Sequence, residues 1–149
     1  MITIKRSNSD DKAFQNLVFE LDKDLAQRNG DANEFFAQFN KIDHIKHVVI
    51  AYYNGQAVGC GAIKAFDKDS MEIKRMYVLN NIRGKGVAVE LLNHLELWTK
   101  ELGYTKCVLE TGLKMPEAIG LYKKSGYQII PNYGPYIGVE SSICFEKAV

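Results

Sequence analysis

Apolar side chains recur at three- and four-residue intervals near the start of the chain, a spacing that places them on one face of a helix. These residues are Phe14, Leu17, Val18, Leu21 and Leu25. Ser9 or Asp10 can cap this helix, and Gly30 breaks it. A second, weaker helix is predicted over 32–39. Its aromatic residues, which form either core or the wall of a substrate cleft, are Phe35, Phe36 and Phe39.

The same periodicity predicts two more helices in the second half of the chain. The longer one begins after Gly86 and stops at Gly103, which suits a left-handed C-cap. The shorter one covers 116–125, with Pro116 in its first turn and Gly126 just past its end.

Short segments rich in β-branched and aromatic residues predict strands. They cover 2–5, 48–53, 57–64, 71–79, 106–110, 127–130 and 142–146. Asn54 and Gly55 separate the second segment from the third, and Asn-Gly is a strong hairpin signal because both residues tolerate positive φ. The pattern predicts a mixed α/β fold, with helices around a largely antiparallel sheet. At 149 residues, we expect 1–149 to form a single domain.

The charge balance argues against whole classes of partner. Nineteen basic and eighteen acidic residues give a formal net charge of +1, so no bulk field draws the protein to nucleic acid or to an anionic membrane. No signal peptide and no long uncharged apolar segment is evident, which predicts a cytoplasmic protein with no membrane partner.

The three cysteines are isolated along the chain and lie in apolar segments. Cys60, Cys107 and Cys144 are odd in number and lack the spacing of zinc ligands. We expect buried thiols, and neither a disulfide framework nor a metal site.

The chemistry is concentrated where a strand passes into the longest helix. Arg83, Gly84, Lys85 and Gly86 directly precede that helix. Two glycines at a helix start leave unpaired backbone N–H groups and the positive end of the helix dipole facing outward, a typical phosphate site. The alternative is a tight strand-to-helix turn with solvated basic side chains. The sequence does not match a Rossmann motif, because Val89 stands where that motif needs its third glycine. It does not match a Walker P-loop motif either.

Two motifs resemble those of the GNAT superfamily of N-acetyltransferases. Arg83, Gly86 and Ala88 match R/Q-x-x-G-x-G/A, and residues 118–127 resemble A-x-x-L-Y-x-x-x-G-[FY]. Residues 72–78 look like the strand that precedes the first motif in that family. The two motifs in the right order are more specific than either alone.

The resemblance implies a splayed sheet in which the strand 72–79 parts from 106–110, with the pantetheine arm of acetyl-CoA in the gap. Backbone groups near Met76 and Val78 are expected to bind that arm. The implied residues that bind acetyl-CoA, the expected cosubstrate, are Met76, Tyr77, Val78, Arg83, Gly84, Lys85, Gly86, Val87 and Ala88. Met115 departs from the family, which often has Asn there, so that side-chain hydrogen bond to the cosubstrate is expected to be missing or supplied elsewhere.

The resemblance also implies a reaction, the acetylation of an amine. Tyr122 is expected to give a proton to the departing thiolate, or else only to pack against the cosubstrate. Glu72 is the leading candidate for the base, with Glu110 and water as alternatives. Because no Cys/His pairing is evident, we expect direct attack by the amine in a ternary complex.

Several points stay open at the level of sequence. The acceptor can be a small-molecule or peptide amine, and the aromatic loop 131–138 can line its site or form a structural corner. The oligomeric state is undetermined, a homodimer included. A non-catalytic acyl-CoA-binding or sensor module is the alternative function.

Overall fold

A computed structural model describes residues 1–37 and 45–149. The strands are β1 Ile2–Ser7, β2 His47–Tyr53, β3 Gln56–Ala65, β4 Ser70–Val78, β5 Lys106–Gly112, β6 Gln128–Ile130 and β7 Ser142–Ala148. The helices are α1 Lys12–Asn29, α2 Asn33–Ala37, α3 Val87–Glu101 and α4 Pro116–Lys124. Within the described ranges, no helix is long and apolar enough to cross a membrane.

The strands form a seven-stranded sheet in the order β1-β2-β3-β4-β5-β7-β6. The pairs β1–β2, β2–β3, β5–β7 and β6–β7 are antiparallel, whereas β4 and β5 are parallel. The parallel pairing runs from Ser70 with Lys106 to Glu72 with Val108, although β4 continues to Val78. This mixed α/β fold with an open, mostly antiparallel sheet confirms the predicted fold class.

Contacts along the chain divide it into two compact units. The first comprises Met1–Lys64 and Ile73–Leu95, and the second comprises Ala65–Glu72 and Glu96–Val149. The expectation of a single domain over 1–149 stays a prediction.

The first unit is built on the β2–β3 hairpin. Asn54 and Gly55 both have positive φ, 52° and 82°, which confirms the turn predicted from the Asn-Gly pair. Apolar residues of α1 pack against the hairpin and exclude water from one face of it. The buried cluster comprises Phe14, Leu17, Val18, Ile45, Val48, Ile50, Cys60 and Ala62.

The cap of α1 differs from the predicted Ser9 or Asp10. Asp11 is the N-cap, and its carboxylate accepts hydrogen bonds from the Ala13 N–H and the Ser7 hydroxyl at 2.9 and 2.7 Å. Asp10 is engaged earlier, because its backbone N–H donates to the Asn8 side chain. The cap prediction was therefore wrong, because the N-cap is Asp11, one residue after Asp10.

The helix predicted over 32–39 is described only in part. Residues Gly30–Ala32 form a 3₁₀ turn, and α2 follows as a short helix. Phe35 is 37% exposed, which disfavours a core role for its ring. Phe39 and the side chain of Phe36 lie outside what the structure describes.

The second unit places β7 between β5 and β6, with α3 and α4 ending as predicted. Gly103 and Gly126 have φ values of +92° and +93°, the left-handed conformation expected just past each helix. Pro116 is the first residue of α4, where its missing N–H costs nothing. Tyr122 of α4 is buried, with its ring 5.9 Å from that of Phe145.

Candidate active site

The loop before α3 has the backbone geometry that its glycines allow. Gly84 and Gly86 have φ values of +86° and +81°, which L side chains rarely adopt. A Cβ built at either position would meet no protein atom within 4 Å. The glycines are therefore required by backbone conformation, not by crowding from the protein, and the loop faces open space.

The start of α3 carries a run of unused hydrogen-bond donors. Within the described residues, the backbone N–H groups of 84–89 donate no hydrogen bond, and the first bond of the helix runs from the Glu90 N–H to the Gly86 carbonyl. The positive end of the dipole of this 15-residue helix lies at the same place. Such an arrangement binds phosphate oxygens, so the diphosphate of a nucleotide-bearing thioester fits the residues present.

Two basic side chains add positive charge to this loop. Arg83 Nε donates to the Val78 carbonyl at 3.0 Å, and its guanidinium carbon lies 5.9 Å from the centre of the Tyr77 ring. Lys85 Nζ lies 5.8 Å from the Tyr53 ring. This hydrogen bond uses Nε, and the terminal nitrogens Nη1 and Nη2 of Arg83 are the atoms that would donate to a bound anion. The Val78 carbonyl, which accepts this bond, is one of the backbone groups that the resemblance assigned to the cosubstrate.

Two glycines of β3, which sequence reasoning did not single out, let the neighbouring elements approach closely. A Cβ at Gly59 would lie 3.0 Å from the Tyr77 carbonyl oxygen and 3.1 Å from the Val87 side chain. At Gly61 it would lie 2.6 Å from Met76 Sδ. The close approach sets the positions of Met76 and Tyr77 and of the first residue of α3. The alternation Gly-Cys-Gly within a strand pattern was the available signal.

A carboxylate of the second unit is held by the aromatic loop. The Tyr133 hydroxyl donates to Glu72 Oε2 at 2.8 Å. The Tyr133 ring packs edge to face on Phe66, with ring centres 4.7 Å apart. Burial first, and then the charge of Glu72, raise the pKa of Tyr133, so the phenol remains a donor to the carboxylate.

A second carboxylate belongs to the same group of side chains. The Ser142 hydroxyl donates to Glu110 Oε2 at 2.7 Å. Tyr136 is buried, and its pKa is raised by burial and then by the charges of Glu110 and Glu72. Glu72 and Glu110, the two carboxylates predicted as alternative bases, therefore both raise the pKa of the buried Tyr136 phenol.

Tyr122 has a buried ring. It is 6% exposed, and its ring centre lies 5.7 Å from that of Tyr127. Burial, followed by the charge of Glu110, raises the pKa of Tyr122. No hydrogen bond of its hydroxyl is found among the described residues, whereas the Tyr127 hydroxyl donates to Glu96 at 2.8 Å. Tyr122 is thus a weakly acidic phenol that stays protonated at neutral pH.

The loop 131–138 is held in place by an amide that sequence reasoning missed. Asn132 Nδ2 lies 3.1, 3.0 and 3.2 Å from the carbonyl oxygens of Tyr136, Val139 and Ser142. This clamp orders the segment that carries Tyr133. The only signal was the loop's unusual content of tyrosine, proline and glycine.

The three cysteines are buried, as predicted. Burial raises the pKa of Cys60 to about 12, and it also raises the pKa of Cys107 and of Cys144. Thiols with raised pKa values are poor nucleophiles because little thiolate forms. Among the described residues, no group of three or more His, Cys, Asp or Glu side chains is arranged to hold a metal ion.

The sequence model of the acetyltransferase (GNAT) family matches residues 13–127, most of the chain. The chain belongs to this family. IAA acetyltransferase from Azospirillum brasilense is 31% identical to this GNAT protein over 149 residues, covering 98% of this chain and 97% of that enzyme. Other relatives are longer: the chain spans 66% of an Escherichia coli N-acetyltransferase and 51% of one from Xenopus tropicalis.

Solved structures share the fold of this GNAT protein. A protein from Klebsiella pneumoniae, assigned as an acyl-CoA N-acyltransferase, is 30% identical with a TM-score of 0.83, covering 99% of this chain and 97% of the other. A GNAT acetyltransferase from Elizabethkingia anophelis, solved with acetyl-CoA bound, is 22% identical with a TM-score of 0.72 over 99% and 98% of the two chains. The second likeness shows the fold alone.

Proposed function

We propose that this GNAT protein transfers the acetyl group of acetyl-CoA to a primary amine. The observation that carries the proposal is the run of backbone N–H groups at 84–89 that donate no hydrogen bond to any described residue, with Arg83 and Lys85 beside it. These donors suit the two phosphates of the coenzyme. The family and the acetyl-CoA complex of the Elizabethkingia protein support the same ligand.

In the proposed reaction the amine nitrogen attacks the thioester carbon. A C–N bond forms, the C–S bond breaks, the amine loses a proton and the thiolate gains one. Two groups of the protein therefore have to handle protons, one as a base for the amine and one as an acid for the sulfur.

Glu72 is the proposed base, directly or through a water molecule. The hydrogen bond from Tyr133 holds its carboxylate in one orientation. Glu110 is the alternative, held in a similar way by Ser142. Orientation by a neighbouring donor is what a general base needs in order to meet a proton at hydrogen-bond distance.

Tyr122 is the proposed acid. Its raised pKa keeps the phenol protonated at neutral pH, and its hydroxyl has no partner among the described residues. A buried phenol of this kind is ready to donate to a thiolate as negative charge develops on sulfur. Burial of Cys60, Cys107 and Cys144 supports direct transfer without an acetylated cysteine.

The proposal is tested by following release of the CoA thiol from acetyl-CoA in the presence of a panel of primary amines. Calorimetry with acetyl-CoA, run in parallel, measures binding. We expect binding and amine-dependent thiol release. Binding without release for any amine would favour the acyl-CoA sensor, and no binding at all would overturn the assignment of the loop.

A further inference from the structure

Two carboxylates lie on one face of the sheet in the second unit. Glu72 of β4 is in register with Val108 of β5, and Glu110 lies two residues farther along β5. Residues i and i+2 of a strand share a face, so the side chains of Glu72 and Glu110 leave the same side of the sheet. Two residues span about 7 Å of strand and neighbouring strands lie about 5 Å apart, which places the two Cα atoms about 8 Å from each other. Both residues are partly exposed to solvent, so a small solute can contact them.

Aromatic rings border these carboxylates. Tyr133, whose hydroxyl donates to Glu72, has its ring centre 4.7 Å from that of Phe66 and 5.9 Å from that of Tyr136, both in edge-to-face geometry. Phe66 is 41% exposed, so this aromatic group reaches the surface. Aromatic rings attract ammonium groups and also cover the methylene groups that carry them.

The phenol of Tyr122 adds a further polar atom beside Glu110. Tyr122 is 6% exposed, and its hydroxyl makes no hydrogen bond in the described part of the chain. After burial, the charge of Glu110 raises the pKa of Tyr122, which places the phenol within the field of this carboxylate. Carboxylates accept hydrogen bonds and a phenol oxygen can accept one as well, so the group suits a cationic ligand with several N–H donors.

The arrangement favours an organic cation with two charges. Among the described residues, no group of three or more His, Cys, Asp or Glu side chains is arranged to hold a metal ion. Each carboxylate is held by a hydroxyl of its own, Glu72 by Tyr133 and Glu110 by Ser142. Because like charges repel, two ammonium groups on one aliphatic chain neutralise such a pair better than a single ammonium does.

We propose that the acceptor is a diamine, with the amine that is acetylated at Glu72 and the second ammonium at Glu110. This inference rests on the proposed function, because it names the substrate class of the same reaction. Glu72 then acts as the base, and Glu110 binds the charge at the other end of the acceptor.

The test uses pairs of amines that differ by one terminal amine: cadaverine with pentylamine, and putrescine with butylamine. We expect the wild-type kcat/KM to favour the diamine of at least one pair by roughly tenfold to a hundredfold, the range for a charge-assisted hydrogen bond and well above the roughly twofold statistical effect of a second amine. Glu110→Gln keeps the size of the side chain and removes its charge. It should reduce the preference to the statistical value.

Glu146→Gln is the matched control, because Glu146 is also a carboxylate of the second unit and pairs with Lys106. It should keep the preference. Ser142→Ala removes only the hydroxyl that holds Glu110, so it should lower the preference in part, and it serves if Glu110→Gln fails to fold. A purely statistical preference in every pair, or a larger one that survives in Glu110→Gln, would overturn the inference while leaving the acetyltransferase intact.

Calorimetry with cadaverine and pentylamine, without acetyl-CoA, separates this inference from the proposed function. The wild type should bind cadaverine more tightly than pentylamine, and Glu110→Gln should lose this difference. If no amine is acetylated, the proposed function fails, and tighter binding of cadaverine that depends on Glu110 would still support the site for a dication. Equal binding of the two amines in that case would overturn the site as well.

Discussion

Replacement of Gly86 by alanine separates the role of the loop in binding from its role in folding. With a φ of +81° at this position, a side chain strains the backbone, but a Cβ meets no atom within 4 Å. The cost is therefore strain without a clash, about 1–2 kcal/mol. In a protein of this length that lowers Tm by roughly 2–8 °C.

The effect on ligand binding should be larger than the effect on stability. The strain is relieved when the peptide groups around residue 86 rotate, which turns the N–H groups of 86 and 87 away from the anion. Each hydrogen bond to a charged oxygen contributes about 1.5–3 kcal/mol, so the loss of two costs about 3–6 kcal/mol. The Kd for acetyl-CoA should rise roughly 10²- to 10⁴-fold.

Gly103 offers a matched control just past the other end of α3. It has a φ of +92° and the same open surroundings. Gly103→Ala should therefore lower Tm by a similar amount and leave the affinity unchanged. The assay is isothermal calorimetry of acetyl-CoA with the wild type and both variants, together with thermal unfolding of each.

Two outcomes would refute the reasoning. If Gly86→Ala lowers Tm but binds acetyl-CoA as tightly as the wild type, then the loop is strained as described but does not hold the phosphates. If Gly86→Ala and Gly103→Ala lose affinity equally, the loss comes from general destabilisation, and the predicted separate role of the loop in binding is wrong.

Three further predictions use other parts of the structure. Tyr122→Phe should lower kcat roughly 10²- to 10⁴-fold with little change in acetyl-CoA affinity. The control Tyr127→Phe, which loses the hydrogen bond to Glu96, should lower stability and leave kcat unchanged. Unchanged kcat in Tyr122→Phe would show that Tyr122 only packs. Mass spectrometry of the enzyme incubated with acetyl-CoA alone should find no acetyl adduct, because burial raises the pKa of every cysteine, and a trapped acetyl-cysteine would contradict direct transfer. Asp11→Ala should lower the free energy of unfolding by about 1 kcal/mol at pH 7, and Asp10→Ala should leave it almost unchanged. The Ser7 hydroxyl lowers the pKa of Asp11 in the folded protein, so the cap stabilises the protein above the ordinary carboxyl pKa and loses this effect as the pH falls through the lowered pKa. Denaturant unfolding should therefore show a smaller difference in unfolding free energy between wild type and Asp11→Ala at pH 3 than at pH 7. An equal difference at the two pH values would argue against the cap.

The loop before α3 was predictable because its chemistry is contiguous. Two glycines, two basic residues and the start of a helix occur within a few positions, and the backbone alone supplies the donors. The predicted conformation at Gly84 and Gly86 is the one that the structure has. The predicted ligand and catalytic roles stay predictions.

The residues around the candidate base were not predictable in the same way. Tyr133 and Glu72 are 61 positions apart, and Ser142 and Glu110 are 32 apart. No local pattern pairs them, because a one-residue change of register turns a strand side chain to the opposite face of the sheet. Even the local choice of Asp11 over Asp10 as the cap depended on a hydrogen bond of the preceding turn.

The sequence by itself determined the turn between β2 and β3 and the glycines that follow α3 and α4. These features depend on backbone conformation and on neighbours a few positions away, which residue types encode directly. Only the tertiary structure decided which carboxylates accept hydrogen bonds from tyrosine and serine hydroxyls, and which arginine is buried beside a carboxylate of α1. Those properties arise from packing between segments far apart in the chain, where burial and distance set the energy of every polar contact.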